Sequence, residues 1–202
     1  FQTETIPYPL FALSGLMIWL YVHTSITLAS NSFVSNTNLV TKVYFPRLIV
    51  PIAATLAGLS DLIFSFVILI ILMIYYSINL SWQVLLAPVF LILAILQTIA
   101  FGTLFSALNV RFRDVKFALP FALQVWMIVS PVFYPTNLLS DKWRLIFAVN
   151  PLTGILEGFR SSLFGTPFDW QTIGISCASI LVLTLFSLFV FKQMEDDFAD
   201  LI

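Results

Sequence analysis

Five apolar runs, at residues 11–30, 48–76, 82–108, 117–133 and 170–191, decide what this chain can become. Each approaches or exceeds the roughly 20 residues a helix needs to cross a bilayer. In hydrocarbon every backbone N–H and C=O must be satisfied within the protein, so such runs fold as helices or as a closed barrel. Runs of this length fit helices, and the reading is an all-α polytopic membrane protein with five spans in one domain, residues 1–202. Composition agrees: 60% of residues are apolar and 9% charged, against about 25% charged in soluble domains. A net charge of −1 offers no broad basic field for nucleic acid. Cys177 is the one cysteine, so no internal disulfide can form, and it reads as a small packing residue.

The charges set orientation. Residues 109–116, N-V-R-F-R-D-V-K, hold three of the nine cations between two apolar runs. Residues 35–47 form a second basic stretch with Lys42 and Arg47 and no acid. Within it, Leu39, Val40, Val43 and Tyr44 recur at helical spacing, predicting a short surface helix that Pro46 ends. Alternation of the spans puts both stretches and the C-terminal tail on one side. That side carries Lys42, Arg47, Arg111, Arg113, Lys116 and Lys192, six of nine cations, and is cytoplasmic by the positive-inside rule. The first ten residues read as the tail of a loop; the expectation is that an N-terminal piece with a further span precedes them. Gly58 is an expected bend in the long second run.

Residues 134–168 hold no run of crossing length and read as an external re-entrant segment of two short helices, 140–149 and 150–164. Ser140 and Asn150 suit N-caps, Pro151 a first helical position and Gly165 a C-terminal cap. Gly154 and Gly158 form a G-x-x-x-G that permits close backbone contact. Glu157 and Arg160, three apart, could pair locally. The helix reads as a tightly packed external plug or as a gate, and the two do not exclude each other.

Several polar and aromatic residues are path candidates. The first run turns polar in its second half, with Thr24, Ser25, Thr27, Ser30, Asn31 and Ser32. Helices can return some hydroxyls to their own carbonyls, and this end is expected to face other helices or a water-filled path. Ser25 and Asn31 stand for it. Trp126, Phe133, Tyr134 and Trp143 surround the re-entrant segment. Aromatic faces suit stacking on sugar rings, and plain packing explains them equally. Asp61 is the one carboxylate well inside a run, where a charge marks a path or a partner. His23 lies at similar depth by helical rise, which raises a His23–Asp61 contact against separate satisfaction of each.

Catalytic signatures are missing. There is no G-x-x-x-x-G-K-[ST], G-x-G-x-x-G or G-x-S-x-G, and one His with one Cys gives no protein-only zinc site. No metal or cofactor is expected in the chain. An integral-membrane enzyme on lipid-linked sugars would need clustered carboxylates at one interface, and a proton-driven transporter would rest on Asp61.

Three blocks in register carry a family resemblance: L-V-T-K-V-Y-F-P-R-L-I-V-P at 39–51, A-L-N-V-R-F-R-D-V-K-F-A-L-P-F at 107–121, and S-P-V-F-Y-P followed by N-P-L-T-G-I-L-E-G-F-R within 130–160. Together with the closing M-E-x-x-F-A-D they resemble the membrane subunit of type-2 ABC exporters, especially exporters of O-antigen, capsule and teichoic acid. The resemblance implies a bacterial inner-membrane permease of six spans that pairs with a second copy of itself. It implies two separate ATPase subunits, which hold ATP and Mg, and a lipid-linked glycan as cargo. It implies ATPase coupling through Lys42, Tyr44, Phe45, Pro46 and Arg47 in segment 35–47, and through Arg111, Arg113 and Asp114. It implies that residues 134–165, including Gly154, Glu157, Gly158 and Arg160, close the path outside. Export of a small lipophilic compound or drug by the same architecture is the alternative.

Overall fold

The computed structural model describes residues 6–37, 45–78, 80–112, 114–136, 140–195 and 198. Among these all regular structure is helical. The order is α1 (Tyr8–Ser35), α2 (Ile49–Ala57), α3 (Leu59–Tyr75), a 3-10 turn (Trp82–Leu86), α4 (Ala87–Arg111), α5 (Val115–Val129), α6 (Asp141–Ala148), α7 (Pro151–Phe164) and α8 (Trp170–Met194).

Four segments are long and apolar enough to cross a bilayer: α1, α2 with α3, the 3-10 turn with α4, and α8. The second is one span broken at Gly58, which falls between α2 and α3 as the sequence suggested. The fourth apolar run is helical, but α5 has only 15 residues. At 1.5 Å per residue that is about 22 Å, short of the ~30 Å hydrocarbon core. Its end has a local cause. Ser130 precedes Pro131 and is extended (φ −87°, ψ 143°), the conformation a following proline favours.

α1 is the central post. It packs along α4 most extensively, and also meets α2, α3, α5 and α7; α8 lies against the far side of α4. The polar half of α1 stays helical because its side chains bond back. Thr24 donates to Leu20 O at 2.7 Å, Thr27 to His23 O at 2.8 Å and Ser32 to Ala29 O at 2.6 Å. The larger core joins Met17, Ile18 and Tyr21 of α1 to Phe90 and Ala94 of α4, Leu152 and Phe159 of α7 and Ile173 of α8. A second, smaller core lies at the end of the bundle that carries Arg47, Arg111, Lys116 and Lys192, hereafter the basic end. α6 and α7 close the opposite end, hereafter the cap.

Candidate functional site: a basic-end clasp and a cap

At the basic end the chain enters α2 through Phe45, Pro46 and Arg47. The Arg47 guanidinium donates through Nη1 to the backbone carbonyl of Glu195, just past α8. Phe45 and Leu48 pack on the small core of Phe33, Val50, Ala107, Val110, Phe191, Met194 and Phe198. Three of its rings form a closed set: Phe33 to Phe198 at 5.0 Å, Phe191 to Phe198 at 5.4 Å and Phe33 to Phe191 at 6.0 Å. Asn109 ties α4 to α1, donating to Ser30 O at 2.8 Å and to Asn31 Oδ1 at 3.4 Å. The entrance to α2 is thereby fixed to the ends of α1, α4 and α8. Arg111 lies 5.8 Å from the Phe112 ring and Lys116 4.8 Å from the Phe117 ring, while Asp114 is exposed before α5. Lys42, Tyr44 and Arg113 lie outside the described residues.

The mid-bundle candidates separate. Ser25 is fully buried against Gly58 and so is shut away from any surface of this protomer. Asn31 is half-buried; it donates to Thr27 O at 3.0 Å and faces Asn109. His23 is half-buried beside Trp19, ring centroids 6.0 Å apart. Asp61 points away from the bundle and is exposed. The His23–Asp61 contact that equal depth raised is not formed, and the two are placed separately, Asp61 exposed and His23 half-buried.

Trp126 is a packing and bonding hub. It lies 4.7 Å from Phe101 and meets Trp19 edge-on at 5.8 Å. Its Nε1 donates to Asn150 Oδ1 at 3.0 Å, and Asn150 donates to Ser130 Oγ at 2.8 Å. The Tyr134 hydroxyl donates to Val129 O at 3.1 Å at the end of α5, and Phe133 is 38% exposed.

The cap follows from its sequence closely. Asn150 accepts from Leu152 N at 3.2 Å and opens α7 with Pro151 at the first position. Gly165 closes it in the left-handed region, φ 71°, a conformation that costs glycine no Cβ clash. Gly154 and Gly158 set how close α7 comes. The Gly154 N–H meets Ser176 Oγ of α8 at 3.0 Å, and a Cβ on Gly158 would strike the Phe90 ring of α4.

Arg160 does not pair with Glu157. The one ion pair among the described residues is Arg144–Asp169 at 2.7 Å. Arg160, 7% exposed, turns inward instead. It donates to Pro131 O at 2.7 Å, Val132 O at 2.6 Å, Phe11 O at 3.2 Å and Ser14 Oγ at 3.3 Å. Its guanidinium carbon lies 3.7 Å from the Phe11 ring centroid. A Cβ on Gly15 would collide with this guanidinium and lie 2.6 Å from Val132 O. Arg160 therefore holds α7, the end of α5 and the start of α1 together. Burial pushes its pKa down to about 9, so it stays charged at neutral pH.

Glu157 is left with a buried Oε2 that has no hydrogen-bond partner. Burial pushes its carboxyl up to about 7, the Arg144 charge opposing and the Asp169 charge adding to the rise. The folded state thus holds the Glu157 proton more tightly than the unfolded chain, whose carboxyl titrates near 4.5. Stability must fall as pH rises from about 4.5 to about 7 and level off above, by up to ~3 kcal/mol. Glu157→Gln is expected to flatten that slope: equal to the parent at pH 4, more stable at pH 8. Urea midpoints across that range check it; an unchanged slope would refute it.

Residue spacing alone did not reveal Asn109, Ser176 and Phe198 as structural pins, nor that the capping Asn150 would also bond to Trp126 and Ser130. The signal available was a buried-type position at a helix end carrying an amide or ring that lipid would not need.

The geometry is a helical bundle whose basic end is clasped and whose cap is pinned to two spans. Residues 2–164 match the sequence profile of the ABC-2 type transporter family. The chain belongs to that family. Relatives extend the likeness past the profile. An O-antigen export system permease protein RfbA from Myxococcus xanthus is 26% identical over 202 residues, 98% of this chain and 77% of the relative. A protein of the same name from Klebsiella pneumoniae is 26% identical over 199 residues, 96% and 76% respectively. The chain is thus a multi-pass membrane component of an ABC-2 transporter, a transport subunit. In this ABC-2 domain the profile takes in the basic-end turn, α5 and α7 whole, and the alignment to the relatives adds α8, which carries the Arg47 acceptor.

Proposed function

We propose that this chain is the permease subunit of an ATP-driven exporter that moves a lipid-linked polysaccharide of the O-antigen type across the cytoplasmic membrane of a bacterium. The observation that carries the reading is the extent of the likeness: relatives named O-antigen export permeases align over 96–98% of the chain, so the clasp and the cap both fall inside it. A separate ATPase subunit, with ATP and Mg, docks on the cytoplasmic face at Lys42, Tyr44, Phe45, Pro46 and Arg47 and at Arg111, Arg113 and Asp114. Its movement reaches α1, α4 and α8 at once through the Arg47 bond and the Phe45 packing. Two copies frame the path, Phe133 and Tyr134 stand near its outer mouth, and α6–α7 close it.

The test is reconstitution of the complete permease with its ATPase subunit in liposomes. Arg47→Glu is expected to lower permease-stimulated ATP hydrolysis about tenfold, within the usual span of coupling free energies, while the protein still folds and inserts. Arg47→Lys, which keeps one donor, is expected to retain most of it. Unchanged stimulation in Arg47→Glu would remove the coupling role, and ATP hydrolysis by the permease alone would remove the reading.

A further inference from the structure

The outer side of the α2–α3 span changes character along its length. Along α3 it exposes Ile63, Phe64, Ile71 and Ile74, bulky and apolar as lipid contact requires. Along α2 and the first turn of α3 it exposes Ala53, Ala57, Ser60 and Asp61 instead. On a helix these lie on one side, at spacings of three and four. The same side continues toward α1 as a groove of about 500 Å³ lined by Ser32 of α1, Asn36 just past its end, and Ile49, Ala53 and Ala54 of α2.

Asp61 decides what can cover this face. It lies twelve residues from Ile49 and fourteen from Tyr75, the ends of the span, or about 18 and 21 Å along the axis. That is mid-membrane. Its carboxylate is exposed and forms no ion pair among the described residues. Lipid facing it would leave a charge in hydrocarbon, which the bilayer strongly disfavours. Arg47, Arg111, Lys116 and Lys192 are at the basic end and Arg144 and Arg160 in the cap, so none reaches its depth. A second copy in the same membrane orientation carries its described cations at the same two levels, so it offers none at the depth of Asp61 either. Small side chains at i and i+4 are what close approach of membrane helices needs. We infer that the Ala53–Ala57–Ser60–Asp61 face docks a further transmembrane helix that brings a cationic side chain to the depth of Asp61.

The test reads contact rather than transport, so it stands or falls apart from the proposed function. In the assembled transporter in lipid vesicles, with Cys177→Ser, nitroxide labels are placed at Ala57→Cys and at Ile71→Cys. Collision rates are measured with oxygen, which partitions into lipid, and with a water-soluble nickel chelate. A label at Ala57 can itself prop helices apart, so Leu56→Cys, of matching bulk at the rim of the face, is read as well. Docking predicts low collision with both reagents at 56 and 57, with oxygen several-fold below the value at 71. Asp61→Asn is expected to raise oxygen collision at 56 toward that value. High oxygen collision at 56 and 57 with Asp61 intact would mean lipid covers the face, and high nickel collision an aqueous path; either overturns the proposal. Protection that survives Asp61→Asn overturns the cationic partner.

Discussion

Replacing Arg160 by leucine is expected to cost the fold about 3–5 kcal/mol, the range for breaking a buried charged network. The loss has countable parts. Pro131 O and Val132 O lose their donor where water does not reach, while Phe11 O keeps the Ser14 hydroxyl, and each orphaned buried carbonyl costs about 1–3 kcal/mol before relaxation. The stacked contact with Phe11 goes as well. Arg160→Lys keeps the charge but not the planar fork, so it is expected to fall between parent and leucine. Gly15→Ala attacks the same joint from α1, forcing the guanidinium aside at about 1–3 kcal/mol. Denaturation midpoints in detergent micelles measure all three. The decisive figure is the coupling: Gly15→Ala must cost less in the Arg160→Leu background than in the parent. Strict additivity would mean that Gly15 and Arg160 do not meet.

That joint also shows where reading the sequence stops. Local chemistry was legible, because it acts over a few residues. Asn150, Pro151 and Gly165 marked the ends of α7, and Gly58 marked the break between α2 and α3. The paired short helices of the cap were legible from run length alone. Arg160 was not, since spacing offers only Glu157 as its neighbour. Its true acceptors are the Pro131 carbonyl just past α5 and the Phe11 carbonyl in the first turn of α1, about 30 and 150 residues away. Whether Asp61 and His23 would meet was open for a related reason: rise along a helix gives depth, whereas contact also needs the facing angle, which tertiary packing sets. That α1 could return some of its hydroxyls to its own carbonyls was legible, but not that Asn109 of α4 would bond to the Ser30 carbonyl and the Asn31 amide oxygen.

Phe198→Ala is expected to be the most damaging change at the basic end, about 3–5 kcal/mol, as for other buried Phe truncations. Phe198 is fully buried, four residues beyond the end of α8, and its ring meets both Phe33 and Phe191 more closely than those two meet each other. Removing it opens a hole where α1 and α8 meet and loosens the chain that presents Glu195 O to Arg47. The effect should therefore be local as well as global. Amide hydrogen exchange at Ile49 and Val50, whose N–H groups bond to Pro46 O and Arg47 O, is expected to speed up more than exchange in α7. Phe198→Leu, which refills most of the volume, should recover much of both losses. If exchange in α2 and α7 rose equally, the ring would be serving the bundle at large. If only α2 responds, Phe198, the α8 terminus and the turn at Arg47 form one mechanical unit, the property that the proposed coupling role of this surface requires.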